Sequence, residues 1–175
     1  FVTSTPARAA VTVNNTSSDM TSGSNSLTWS HTVNNGAFRA LLVGVSIEGN
    51  DTCTSVTYGA VVLTKVGRTS TSSHRVEIWR LVAPAVGTAN VVANLSGSSK
   101  VIAGAVTFNG VDPANPTRTY LGVGGSGKDP TVTVSSAVGD LVFDTMYGDK
   151  GASASPGGGQ TTRWDLATGS GANEL

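Results

Sequence analysis

Ser26-Leu-Thr-Trp-Ser-His-Thr-Val33 alternates without a break: Leu27, Trp29, His31 and Val33 fall on one face, and Ser26, Thr28, Ser30 and Thr32 on the other. A period of two marks a strand with one face in a core and the other in water. Working outward, the runs Ala40–Glu48, Ser55–Tyr58, Val61–Val66, Arg75–Val82, Ala89–Leu95 and Val101–Phe108 are short, β-branched and punctuated by turn residues. Ala40–Ile47 is apolar on both faces, as a central strand covered on each side should be. Ala7–Val13, Tyr120–Val123, Thr131–Ser135, Asp140–Tyr147 and Thr161–Leu166 complete the expected strands. Turn signals stand between them at Asn35-Gly36, Gly49-Asn50-Asp51, Tyr58-Gly59, Pro84–Gly87 and Asn109-Gly110. No window carries the i, i+3, i+4 spacing of an amphipathic helix. The expected fold is all-β, a two-sheet sandwich of immunoglobulin-like or jelly-roll-like type with an extended N-terminal strand.

A chain of 175 residues fits one such domain. Residues 1–15 read as an N-terminal arm and 16–175 as the sandwich, with Asn14–Asn25 as a Ser/Asn/Gly linker. Charged residues are only 13% of the chain, about half the usual share, and eleven basic side chains balance eleven acidic ones. With no basic field to attract phosphates, nucleic acid is not an expected partner. A nearly neutral surface also repels its own copies weakly, which suits a subunit that assembles. No apolar run reaches the roughly 18 residues of a membrane helix, so membrane insertion is not expected. Gly, Ser and Thr replace the usual surface Lys and Glu, and the chain opens on Phe1; the expectation is an exported protein whose leader has been removed.

The residues that could carry chemistry are few. Cys53 is the only cysteine, which rules out an internal disulfide or a thiolate metal site and reads as a small buried side chain. Gly122-Val-Gly-Gly-Ser-Gly-Lys128 matches phosphate-loop patterns, but Asp129 stands where Ser or Thr would hold magnesium, and Pro130 with an alternating run follows in place of a helix. His31 lies on the apolar face and reads as a core imidazole; His74 reads as a solvated loop residue. No Gly-x-Ser-x-Gly elbow occurs. Glu48, Asp51 and Asp112 sit near turns without the spacing of a calcium loop. These residues give no reason to expect an enzyme, a cofactor or a metal. Trp29 and Trp79 read as core, whereas Trp164, with Tyr147 and Tyr120, offers a platform for stacking sugars. Asn14, Asn15, Asn50 and Asn94 satisfy the N-glycosylation pattern.

Several segments, taken as an ordered set, resemble an immunoglobulin-like module of bacterial extracellular proteins. They are Ser26–Val33, Arg39–Ser46, Val56–Gly59 with Leu63–Gly67, Arg75–Trp79, Gly87-Thr88, Gly104–Val106 with Phe108–Asp112, and Gly139–Val142. The resemblance spans about Ser24 to Trp164 and implies an architecture and an extracellular setting, with no catalytic residue. The chain departs from it at both ends. Past Arg163-Trp164 the family continues into a closing strand, where Ala167–Leu175 is polar and Gly-rich; ahead of it stands the additional run Ala7–Val13, with Ala7, Ala9, Val11 and Val13 on one face. A spare strand and a missing one imply a pilus-like homopolymer, each copy donating its N-terminal strand to the next. The competing expectation is a carbohydrate- or surface-binding module of a larger secreted bacterial protein.

Overall fold

The computed structural model describes residues 10–125, 131–149, 155–168 and 172–173. Among them there is no helix. The strands are β1 (Thr12–Val33), β2 (Ala40–Glu48), β3 (Cys53–Tyr58), β4 (Val61–Val62), β5 (Thr64–Ser70), β6 (His74–Val82), β7 (Gly87–Asn109), β8 (Gly148–Asp149) and β9 (Ala172–Asn173). Seven form one antiparallel sheet in the order β4-β3-β7-β2-β6-β5, with β1 added beside β7; β8 and β9 pair separately.

Two long strands organise the sheet. β1 and β7 pair along their whole lengths, from Thr12 opposite Asn109 to Val33 opposite Gly87. The other side of β7 is shared, Val101–Phe108 pairing with β2 and Val91–Leu95 with β3. Between these halves both long strands bend, at Thr21–Ser26 and near Ser96–Ser99, where the register of β1 shifts twice. Short side chains make the bend possible, and polar groups hold it. Ser96 and Ser99 donate to the two Asp51 oxygens at 2.8 and 2.6 Å, and Thr52 and Ser96 exchange two further bonds. The same hydroxyls, Ser99 first, hold the Asp51 carboxyl below its ordinary pKa.

The bend folds the sheet over onto itself, so that it nearly closes. Leu27, Trp29 and Val33 of β1 pack in one cluster with Leu41, Val43, Val45 and Ile47 of β2, Val56 of β3, Trp79 of β6 and alternate residues of both β7 halves. A second cluster lies on the outer face of β7, where Ala40, Ile102, Val106 and Phe108 meet Val111 and Trp164. Every residue of β7 from Val101 to Phe108 is therefore buried. The expectation that Ala40–Ile47 is covered on both faces holds: all of it but Leu42 is buried.

Three sequence readings need correction. Asn14–Asn25 is not a linker but the first half of β1; its short polar side chains suit a bent edge strand whose amides are partly capped locally, as Asp19 caps Met20 and Ser24 caps Ser26. Ala89–Leu95 and Val101–Phe108 are one strand, because Ser96–Lys100 continues the ladder through the bend. The described residues of Tyr120–Val123, Thr131–Ser135, Asp140–Tyr147 and Thr161–Leu166 form no ladder strand. Part of them packs on the outside of the sheet: Phe143 rests against Phe108 and Trp164, and Ser46 donates to the Met146 carbonyl at 3.3 Å.

Candidate assembly edge and buried polar clusters

Among the described residues the sheet has three edges, and two are guarded. β4 is only two residues long. β5 carries Lys65 and Arg68, and Tyr120 lies over it: its ring occupies the space a side chain at Gly67 would need, and its hydroxyl bonds Thr69 Oγ1 at 2.7 Å. Charge, brevity and covering segments are how natural sheets keep edges from pairing with other chains. β1 is long and sparsely charged. Over 22 residues it contains one fully charged side chain, Asp19, and no Lys, Arg or Pro, and it pairs with β7 alone among the described residues. Only near its two ends is this edge tied, by asparagines that bridge the folded halves. Asn15 donates to the Thr32 carbonyl at 2.7 Å, while Asn14 and Asn34 exchange bonds through side chains and backbone.

Residues 7–13 were the expected donor strand. Ala7 and Ala9 lie outside the described residues. Val11 and Val13 pack against the second cluster of their own subunit, and Val13 pairs with Phe108. In their own subunit Val11 and Val13 thus already have apolar partners.

His31 is buried, as expected of a core imidazole, and it joins the halves of the sheet. Trp29 Nε1–H donates to Ser17 Oγ at 3.1 Å, Ser17 Oγ lies 2.8 Å from His31 Nδ1, and His31 Nε2 lies 2.7 Å from Thr107 Oγ1. Since Ser17 accepts from Trp29, its own proton is directed at Nδ1, which places the imidazole proton on Nε2, donated to Thr107. A serine beside a histidine has the spacing of a nucleophile and base. Here both ring nitrogens are spent inside the core, His31 is 1% exposed, and neither of the surface cavities at Arg118–Ala137 and Tyr58–Ala89 reaches it.

Burial lowers the His31 pKa from 6.5 to about 4. The unfolded chain therefore binds a proton that the folded chain refuses between these values, so this contribution is complete above pH 6.5 and is lost as pH falls towards 4. The expected loss is ~2–3 kcal/mol. Urea titrations at pH 7 and pH 4.5 should show it, and His31→Gln should flatten that part of the dependence.

A second buried cluster was not anticipated. Glu77 is fully buried; Lys65 Nζ meets it at 2.7 Å, and Arg75 Nη1 stands 3.9 Å away. Glu77 also accepts the Cys53 amide at 3.4 Å, while Lys65 lies over the Trp79 ring. The signal was present: Arg75, Glu77 and Trp79 share one face of β6, the face that buries Trp79. Cys53 is buried as expected, and desolvation together with the Glu77 charge pushes its thiol up to about 12.

The sugar platform is not formed. Trp164 is 6% exposed and belongs to the second cluster, because Gly104 leaves a gap in β7 that the indole fills. Tyr120 is half-buried with its hydroxyl on Thr69, and Tyr147 stacks on His74 and donates to Glu48 at 3.3 Å. His74 opens β6 and is half-buried against Tyr147, where a solvated loop residue was expected. Glu48 faces Lys100 and Asp51 faces two serines, while Asp112 caps the Ala114 amide; the three form no shared site. Of the glycosylation sequons, Asn14, Asn15 and Asn94 use their amides in hydrogen bonds at partly buried strand positions, and Asn50 is exposed in a turn. Within the phosphate-loop match, Gly122 and Gly124 approach Thr69 and Thr71, and residues 126–130 lie outside the described part.

Compared with protein families, with curated proteins and with solved structures, the chain matches none.

Proposed function

We propose that this domain is a structural subunit of an extracellular, pilus-like homopolymer, built when a segment of one copy adds as a strand to the open edge of β1 on the next. The observation that carries the reading is the β1 edge itself, two extended halves that pair with no described strand but β7 and bear no Lys, Arg or Pro, next to two edges that are guarded. Because Val11 and Val13 serve their own subunit, the donated segment is the one before Ala10, with Ala7 and Ala9 on its apolar face. An arm leaving one place and docking at another makes a heterologous contact, which repeats into a fibre. The formal charge of zero favours such stacking. The same reading takes the folded-over sheet as a two-layer, immunoglobulin-like sandwich.

The test is sedimentation and negative-stain imaging of the purified chain over a range of concentrations. Filaments are expected, and both Thr28→Lys/Ser30→Lys, which charges exposed positions of the β1 edge, and removal of residues 1–9 should return the protein to monomer. A chain that sediments as a monomer at every concentration, or variants that polymerise unchanged, would sink the proposal.

A further inference from the structure

Two Asn-Gly dipeptides stand in this chain, at Asn35-Gly36 and Asn109-Gly110. The fold brings them against each other. The Gly110 amide donates to the Ala37 carbonyl at 3.0 Å, and Gly36 rests on the Asn109 side chain so closely that a Cβ there would collide with it. An asparagine followed by glycine is open to attack by the next residue's backbone nitrogen, because glycine has no side chain to hinder the approach. The two pairs offer that chemistry different geometries.

At Asn109 both reacting groups are engaged. Its side-chain oxygen accepts from Asn14 Nδ2 at 3.2 Å, the residue closes β7, and the Gly110 nitrogen is held on Ala37. Asn35 instead lies exposed in the loop 34–39 between β1 and β2, outside any ladder. Gly36 N–H donates to Asn35 Oδ1 at 3.0 Å, which holds the nitrogen beside the carbonyl carbon it would attack. The loop around this pair is fixed by Arg39, whose Nη1 donates to the Gly36 carbonyl, and by the Val111 amide on the Phe38 carbonyl.

We infer that Asn35 is a self-modifying site, which deamidates in the folded protein and thereby loosens the start of β1. The Gly36 nitrogen gives its proton to a solvent base and bonds to Asn35 Cγ; the Cγ–Nδ2 bond breaks and ammonia leaves. The five-membered imide so formed takes up one water. Opening at Cγ leaves aspartate, and opening at the backbone carbonyl leaves isoaspartate, in which the main chain runs through Cγ. Either product adds one negative charge to a chain whose formal charge is zero. Isoaspartate also lengthens the backbone by one carbon, directly beside Asn34. That residue clasps the start of β1: its amide donates to Asn14 Oδ1 at 2.9 Å, and its side chain donates to the Asn14 carbonyl at 3.2 Å. A carbon inserted one residue further on displaces the clasp, and with it the bond from Asn14 to Asn109. The chemistry proceeds within a single copy.

The test is to age the purified chain in warm, mildly alkaline buffer and digest samples with trypsin. Asn35 then falls on the peptide ending at Arg39, and Asn109 falls on Val101–Arg118. Mass spectrometry with fragmentation should find Asn35 converted at least about tenfold faster than Asn109 in the folded chain, because Asn109 reacts only when the end of β7 opens. In denaturing urea the two rates should converge. Hydrogen exchange at residues 12–16 should be faster in the aged chain than in Asn35→Gln aged alike, whose longer side chain closes a less favoured ring. Equal conversion of the two asparagines in the folded chain would overturn the inference. So would exchange at residues 12–16 that stays unchanged once Asn35 has converted.

Discussion

Glu77→Ala should lower stability by ~3–5 kcal/mol, a large share of the ~5–15 kcal/mol that an ordinary domain has. Among the described residues, the substitution removes the anion that faces Lys65 and Arg75, and it takes away the acceptor of the Cys53 amide. The two cations will not suffer equally. Lys65 is 35% exposed and can swing its ammonium into water, whereas the Arg75 side chain is 12% exposed and cannot. In the native chain Arg75 Nε and Nη1 already lack hydrogen-bond partners among the described residues. Arg75→Met should therefore be neutral or mildly stabilising, since it removes a buried and poorly satisfied charge while keeping the stem that packs. Urea unfolding of both variants checks the asymmetry, and equal losses would show that the attraction between Arg75 and Glu77 outweighs its desolvation.

Trp164→Ala should cost a similar ~3–5 kcal/mol through a different mechanism, the emptying of a well-packed site. The indole lies against Gly104 and near the Phe143 ring at 5.9 Å, and it fastens a segment that has no ladder of its own to the back of β7. Gly104→Ala should reproduce most of the loss, because a Cβ at that position overlaps the indole, which is too confined to move aside. In both variants proteolysis of residues 155–168 should accelerate before the main core opens. A merely local surface role for Trp164 would leave the global midpoint unchanged and alter glycan binding instead.

The strands with two covered faces or clean alternation were legible from sequence. Ala40–Glu48 was expected and observed as β2, and Ser26–Val33 lies in β1 with the expected face inward. What misled was a short apolar run without a ladder. In Asp140–Tyr147 Phe143 packs inward while Leu141 and Val142 stay exposed, so the apolar run records a point contact with a sheet rather than membership of it. The bend was hidden for the opposite reason. Ser22-Gly23-Ser24 and Ser96-Gly97-Ser98 are turn-like in composition, yet here they continue two strands through a change of direction. The core histidine and cysteine followed from their neighbours on the strand, while the buried Glu77 required trusting the alternation over the usual exposure of glutamate. Which edge is left open depends on strand order, and strand order is not written in local pattern.

The length of the β1–β7 ladder also fixes an order of events. β5 and β6 are joined by a three-residue turn and meet early, and β2 pairs with β6 across the intervening β3, β4 and β5, a shorter separation than that between β1 and β7. β1 must wait for a partner synthesised long after it, since Thr12 needs Asn109 and Val33 needs Gly87. Loop-closure entropy makes such distant pairing slow. During that interval the flank of β7 stands vacant, and any other molecule's β1 fits it as well as the chain's own, which makes a freshly made subunit most open to exchange with its siblings before its first strand has come home.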